Sequence, residues 1–63
     1  MKCAVIDFGE ETVPVNGTLE RTMISLGRSP DAYIFLIDGV PVPDDTVPEE
    51  GTVVTAVRVA SGG

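Results

Sequence analysis

Few residues in this chain are able to do chemistry, and their types narrow what that chemistry is. Its 63 residues include no histidine and a single cysteine, Cys3. Without histidine there is no Ser-His-Asp set, and without a cluster of histidine and cysteine ligands no zinc or iron site is expected. Glycines 9, 17, 27, 39 and 51 stand singly, so none forms a phosphate-cradling loop and each reads as a turn. What remains is the stretch RVASGG, 58 to 63, which closes on paired glycines. An α-carboxyl has an ordinary pKa of about 3.3–3.7, so a carboxylate on Gly63 is ionised and nucleophilic at neutral pH. Residues 60 to 63, fully extended, reach about 13–14 Å. Gly62 and Gly63, lacking side chains, can thread a narrow site in backbone conformations closed to other residues. The stretch reads as a flexible tail on a domain spanning 1 to 59.

The elements that must carry this tail follow from apolar patterning. Four runs read as strands from their β-branched and aromatic content: 2 to 7, 11 to 15, 32 to 37 and 52 to 59. A fifth, 40 to 42, is short. Phe8 to Glu11 separate the first two runs at hairpin length, and Asp38-Gly39, a strong hairpin signal, joins the third run to Val40-Pro41-Val42. Between the hairpins, Leu19, Met23 and Leu26 fall at i, i+4 and i+7, which predicts a helix over 18 to 26 with those three in the core. Asn16 or Thr18 caps its start, and Gly27 suits the left-handed position that ends it.

Proline sets the expected topology, because it cannot donate to a sheet ladder and is confined to edges, strand starts and bulges. Pro14 lies in the second run, and Pro41 and Pro43 lie in or beside the fourth. Those two strands belong at the edges. With hairpins pairing 1 to 2 and 3 to 4, only the last strand fits between 1 and 3, which gives the order 2-1-5-3-4. One helix then covers one face, and the fold class is α+β. With Lys2 taken as solvent-facing, alternation sends Cys3 and Val5 toward the helix and Ala4 and Ile6 to the open side. In the last strand Val54 and Ala56 form one set and Val53, Val57 and Val59 the other. In the third, Phe35 and Ile37 face the helix and Ile34 and Leu36 turn outward. Such a surplus of apolar residues on an open face marks a contact site.

Composition bounds the rest. At this length about 60% of the unfolded chain's surface is buried on folding, so one domain must hold by packing alone, with Cys3 read as a small buried hydrophobe. Ten acidic against four basic residues give a net charge of −6, which opposes binding to nucleic acid or anionic membrane and favours a protein partner with a basic face. No apolar stretch nears the roughly 20 residues of a spanning helix, and Asp7 arrives too early for a signal peptide. A cytoplasmic monomer is expected.

Two hairpins flanking a helix, followed by a central last strand that runs into Gly-Gly, resembles the ubiquitin-like β-grasp proteins along the whole chain. More closely it resembles the small archaeal modifier proteins and the sulfur carriers of thiamin and molybdopterin synthesis. The residues that carry the likeness are the TLERTMISLG helix, the IDGVPVPDD hairpin, the EEGTVV entry to the last strand and VRVASGG. The resemblance implies a protein cosubstrate and not an enzyme. In these families the C-terminal glycine carboxylate is adenylated by a separate ATP-dependent activating enzyme, so the resemblance makes 60 to 63 a substrate arm, with Gly63 and Gly62 the implied point of attachment, and ATP belongs to that enzyme. Ile34, Leu36, Val57, Val59 and Arg58 are the expected partner-binding residues, and Lys2, the single lysine, is the implied acceptor for any self-linked chain. Three readings stand: a modifier joined to target lysines that also serves in sulfur transfer, a dedicated carrier whose Gly63 thiocarboxylate supplies tRNA thiolation, molybdopterin or thiamin synthesis, and a plain interaction domain that docks by its open face.

Overall fold

The computed structural model describes residues 3–59. Lys2 and the expected arm at 60–63, with Gly62 and Gly63, lie outside the described residues. Five strands and one α-helix form among the described residues: β1 Val5–Asp7, β2 Thr12–Pro14, α1 Leu19–Ser25, β3 Tyr33–Ile37, β4 Val40–Val42 and β5 Val53–Arg58, with a single 3₁₀ turn at Pro30–Ala32 ahead of β3. The sheet order is β2-β1-β5-β3-β4, as the prolines require. β1 and β5 run parallel and the other neighbours antiparallel. The fold is α+β and is compatible with a β-grasp arrangement.

Local chemistry explains the helix and its ends. Thr18 is the N-cap: its Oγ1 accepts the Arg21 N–H at 3.0 Å. The Leu19 and Glu20 N–H groups donate to the carbonyls of Thr46 and Asp44 at 3.0 and 2.8 Å, so the loop after β4 satisfies donors that a helix start leaves orphaned. At the other end Gly27 takes φ +75, its N–H bonds to the Ile24 carbonyl, and the Arg28 N–H bonds to the Met23 carbonyl, both at 3.0 Å. That is the Schellman pairing, which needs a residue at ease with positive φ. At the β3–β4 turn Asp38 and Gly39 both have positive φ, 52 and 80, the signature of a two-residue hairpin whose twist matches its strands.

The core lies between α1 and one face of the sheet: Ile6, Leu19, Met23, Phe35, Val54 and Ala56 are buried together, with Phe8, Val13, Val15, Tyr33, Ile37 and Val42 packed around them. Three expectations are corrected by this packing. First, the faces of β1 are the reverse of those expected, because Ala4 and Ile6 are buried while Cys3 is exposed. Register decides this: Ile6 stands opposite Val54 on one side and Val13 on the other, and partners in register share a face. The charge at position 2 precedes the strand and is a poor marker of its alternation. Second, Cys3 is therefore not a buried hydrophobe. Third, Leu26 is 41% exposed and Thr22 is buried in its place. The helix ends at Ser25, so the i+7 position falls beyond its last turn, and i+3 supplies the inward residue instead. Thr22 is tolerated inside because its Oγ1 accepts the Asn16 N–H and donates to the Thr18 carbonyl, each at 3.0 Å. No helix among the described residues is long and apolar enough to cross a membrane.

Candidate functional site

With α1 covering one face of the sheet, the other face carries the candidate site. Ile34 of β3 stands directly opposite Val57 of β5, and Leu36 opposite Thr55. On the far side of β5, Val53 stands opposite Val5 of β1. Ile34, Val57 and Val53 are 45%, 44% and 53% exposed, while Leu36 and Val5 are half-buried. A contiguous band of β-branched and leucine side chains thus crosses the three central strands. Burial of such side chains against a partner is favourable by roughly 25 cal/mol per Å² of apolar surface, and exposed apolar bands of this kind mark interaction surfaces.

Why the sequence folds to expose them is a matter of strand parity. One helix cannot cover both faces, and in β5 the inward set is filled by Val54 and Ala56, the latter facing Phe35. Val53, Thr55 and Val57 have no element above them among the described residues. Of the five residues expected to meet a partner, Ile34, Leu36 and Val57 share this face. Val59 lies one residue beyond β5 and is half-buried, with its N–H donating to the Ala32 carbonyl at 2.9 Å. Arg58 is placed differently from the others: it pairs with Tyr33, which packs against the core, so alternation puts Arg58 on the side of the sheet that carries the helix. It is exposed. Cys3, exposed beyond the start of β1, continues the parity of Val5. The attachment residues Gly62 and Gly63 and the acceptor Lys2 are outside the described residues.

A second cluster, not anticipated from the sequence, lies at the end of the sheet where β5 finishes. The Arg28 guanidinium sits over the Phe8 ring, 4.3 Å from its centroid. Its Nη1 donates to the Tyr33 hydroxyl at 2.7 Å and its Nη2 to Glu11 Oε2 at 2.8 Å. Phe8 and Tyr33 meet edge to face with centroids 5.6 Å apart. The hydrogen bond to Tyr33, above all, raises the Arg28 pKa beyond its already high ordinary value, and the nearby Glu11 carboxylate adds to this. The charge is therefore fixed. The four residues come from the β1–β2 turn, the segment after α1 and the start of β3, with up to 25 positions between them, from Phe8 to Tyr33. No local periodicity carries such a signal.

Among known proteins, one of Archaeoglobus fulgidus, described as uncharacterized, is 41% identical over 64 aligned residues, covering all of this chain and 94% of that protein. No family model matches the chain, and no solved structure does.

Proposed function

This chain belongs to one family with that Archaeoglobus fulgidus protein, and we propose that it is a ubiquitin-like small modifier of β-grasp fold, a protein cosubstrate joined through Gly63 to lysines of target proteins. The observation that carries the reading is the place of β5. The strand at the centre of the sheet, between β1 and β3, is the one whose sequence continues into Val59-Ala-Ser-Gly-Gly63. Val57, on the open face, stands six positions before Gly63. A partner seated on that face has the working residue within reach, since the four residues after Val59 span at most about 13–14 Å.

The chemistry needs a free α-carboxyl on Gly63, whether that residue is the last one translated or is laid bare by cleavage of a longer chain. In the proposed sequence of steps an activating enzyme supplies ATP, and one carboxylate oxygen of Gly63 attacks its α-phosphate. Pyrophosphate leaves, and the acyl-adenylate formed is a mixed anhydride. A thiolate of the enzymes then displaces AMP to give a thioester. A target lysine amine, giving up its proton, attacks that carbonyl and releases the thiol, so the product is an isopeptide bond. Attack on the same adenylate by an enzyme persulfide would instead displace AMP to give an acyl disulfide. A second thiol, forming a disulfide with the former persulfide cysteine, would cleave the S–S bond and leave a thiocarboxylate on Gly63, which is the chemistry of a dedicated sulfur carrier and the alternative reading. In this scheme the domain contributes the docking face and the arm, and the catalytic groups belong to the enzymes that act on it.

The test is mass spectrometry of host lysate, combining the intact mass of this protein with a search for modified lysines. Trypsin's last cut in the chain falls after Arg58, so each conjugated target should carry the branch Val-Ala-Ser-Gly-Gly on a lysine. Free protein with one terminal oxygen exchanged for sulfur, and no branched lysines, would make it a sulfur carrier instead. Abundant protein with neither mark would leave only a docking domain.

A further inference from the structure

The cluster at the end of the sheet has a consequence for where the chain leaves the domain. Val59 is tied by its N–H to the Ala32 carbonyl at 2.9 Å, the last backbone hydrogen bond toward Gly63 among the described residues. Ala32 ends the 3₁₀ turn, whose N-cap, Ser29, makes no side-chain hydrogen bond. The residue next to Ala32 is Tyr33, and its hydroxyl is held by Arg28 at 2.7 Å. The same guanidinium is seated on Phe8 and paired to Glu11 of the β1–β2 turn, while its backbone N–H is fixed to the end of α1. A continuous set of contacts thus runs from the helix end and the first hairpin, through Arg28 and Tyr33, to the carbonyl that anchors Val59.

We propose that Arg28 is a positioning residue that, through Tyr33, holds Val59 on the domain and so sets where the arm begins. This rests on the reading of 60–63 as a substrate arm. An exposed ion pair alone contributes little, whereas a planar guanidinium that stacks on one ring and donates to a second fixes direction in a way an ammonium cannot. With the tether in place, Val59 is already held when a partner binds. With it lost, Val59 must be ordered on binding, and that entropy is taken from affinity.

The experiment compares wild type with Arg28→Ala and Tyr33→Phe in two measurements. Backbone hydrogen exchange should quicken at Val59 by about tenfold or more in both variants, and by much more than at Val54, whose core amide reports opening of the whole domain. Equal quickening at Val59 and Val54 would overturn the tether, since it would mean general loosening. ATP–pyrophosphate exchange, with the adenylating enzyme that turns over the wild-type protein, should show KM raised about fivefold with kcat unchanged, the pattern of lost binding common to ground and transition states. A lowered kcat at unchanged KM, or no change in either, would overturn the positioning role. Should no adenylating enzyme turn over the wild type, the proposed function falls, and the exchange comparison between Val59 and Val54 still decides the tether.

Discussion

At the scale of single residues, two glycines show how differently the same residue can be required. Gly27 ends α1 with φ +75, and a Cβ placed there would meet nothing within 4 Å. Gly27→Ala is therefore expected to fold and to lose only the backbone term, about 1–2 kcal/mol, as a shift in urea midpoint at unchanged slope. That is a large part of the total for a chain this short, since about 0.05–0.15 kcal/mol per residue gives roughly 3–9 kcal/mol. Gly63 has no such structural duty in the proposal, so its removal should leave the denaturation midpoint where it was and abolish adenylation. Unchanged ATP–pyrophosphate exchange by the shortened chain would sink the arm chemistry. The Gly27 position was legible in the sequence because a helix-ending glycine is a local signal. Leu26 was misplaced because i+7 periodicity does not say on which residue a short helix stops, and the stop is made by the Schellman bonds of Gly27 and Arg28.

At the scale of elements, the prolines do more than mark the edges. Across the two-residue Asp38-Gly39 turn, Ile37 and Val40 form the hydrogen-bonded pair, so the next pair, Leu36 and Pro41, is not hydrogen bonded. The Pro41 nitrogen therefore faces away from β3, toward the free edge. On the opposite edge the Val15 N–H donates to the Ala4 carbonyl at 2.8 Å, which puts the Pro14 nitrogen outward by alternation. Each free edge lacks a donor where an incoming strand would need one, a recognised defence against edge-to-edge association. Replacing both, Pro14→Val with Pro41→Val, should return a donor to each edge and produce concentration-dependent self-association in sedimentation equilibrium. A double variant that stays monomeric at millimolar concentration would show that strand shortness alone protects the edges. The strand order was readable from these prolines because the missing N–H is a property of the residue itself. The faces of β1 were not, because parity is set by pairing with Val54 and Val13 and not by the nearest charge.

At the scale of the whole molecule, the sheet has one face inside and one outside, and the charge is lopsided. Ten acids against four bases give a negative field that, in the proposed function, steers a basic partner toward the domain, and the proposal assigns the short-range contact to the band of Val5, Ile34, Leu36, Val53 and Val57. Val57→Asp puts a carboxylate into that band, directly opposite Ile34. Val57 is already 44% exposed, so the stability cost should stay within about 1 kcal/mol, whereas affinity for the activating enzyme should fall about tenfold or more, the scale of a hot-spot loss. Titration calorimetry against that enzyme separates the two effects. Unaltered affinity would place docking elsewhere on the domain.

Taken alone, the sequence determined the features that reside in single residues or short spacings: the helix, its glycine stop, the Asp-Gly hairpin, the proline-closed edges and, through them, a central last strand. Tertiary structure decided what depends on partners distant along the chain. It turned Ile6 inward by matching it to Val54, brought Thr22 into the core by giving its hydroxyl two backbone partners, set Arg58 on the face opposite Val57, and gathered Phe8, Glu11, Arg28 and Tyr33 at the end of β5. The physical reason is the same in each case. A propensity or a missing N–H acts where it stands, whereas burial and pairing belong to the contact and exist only once the chain has closed upon itself.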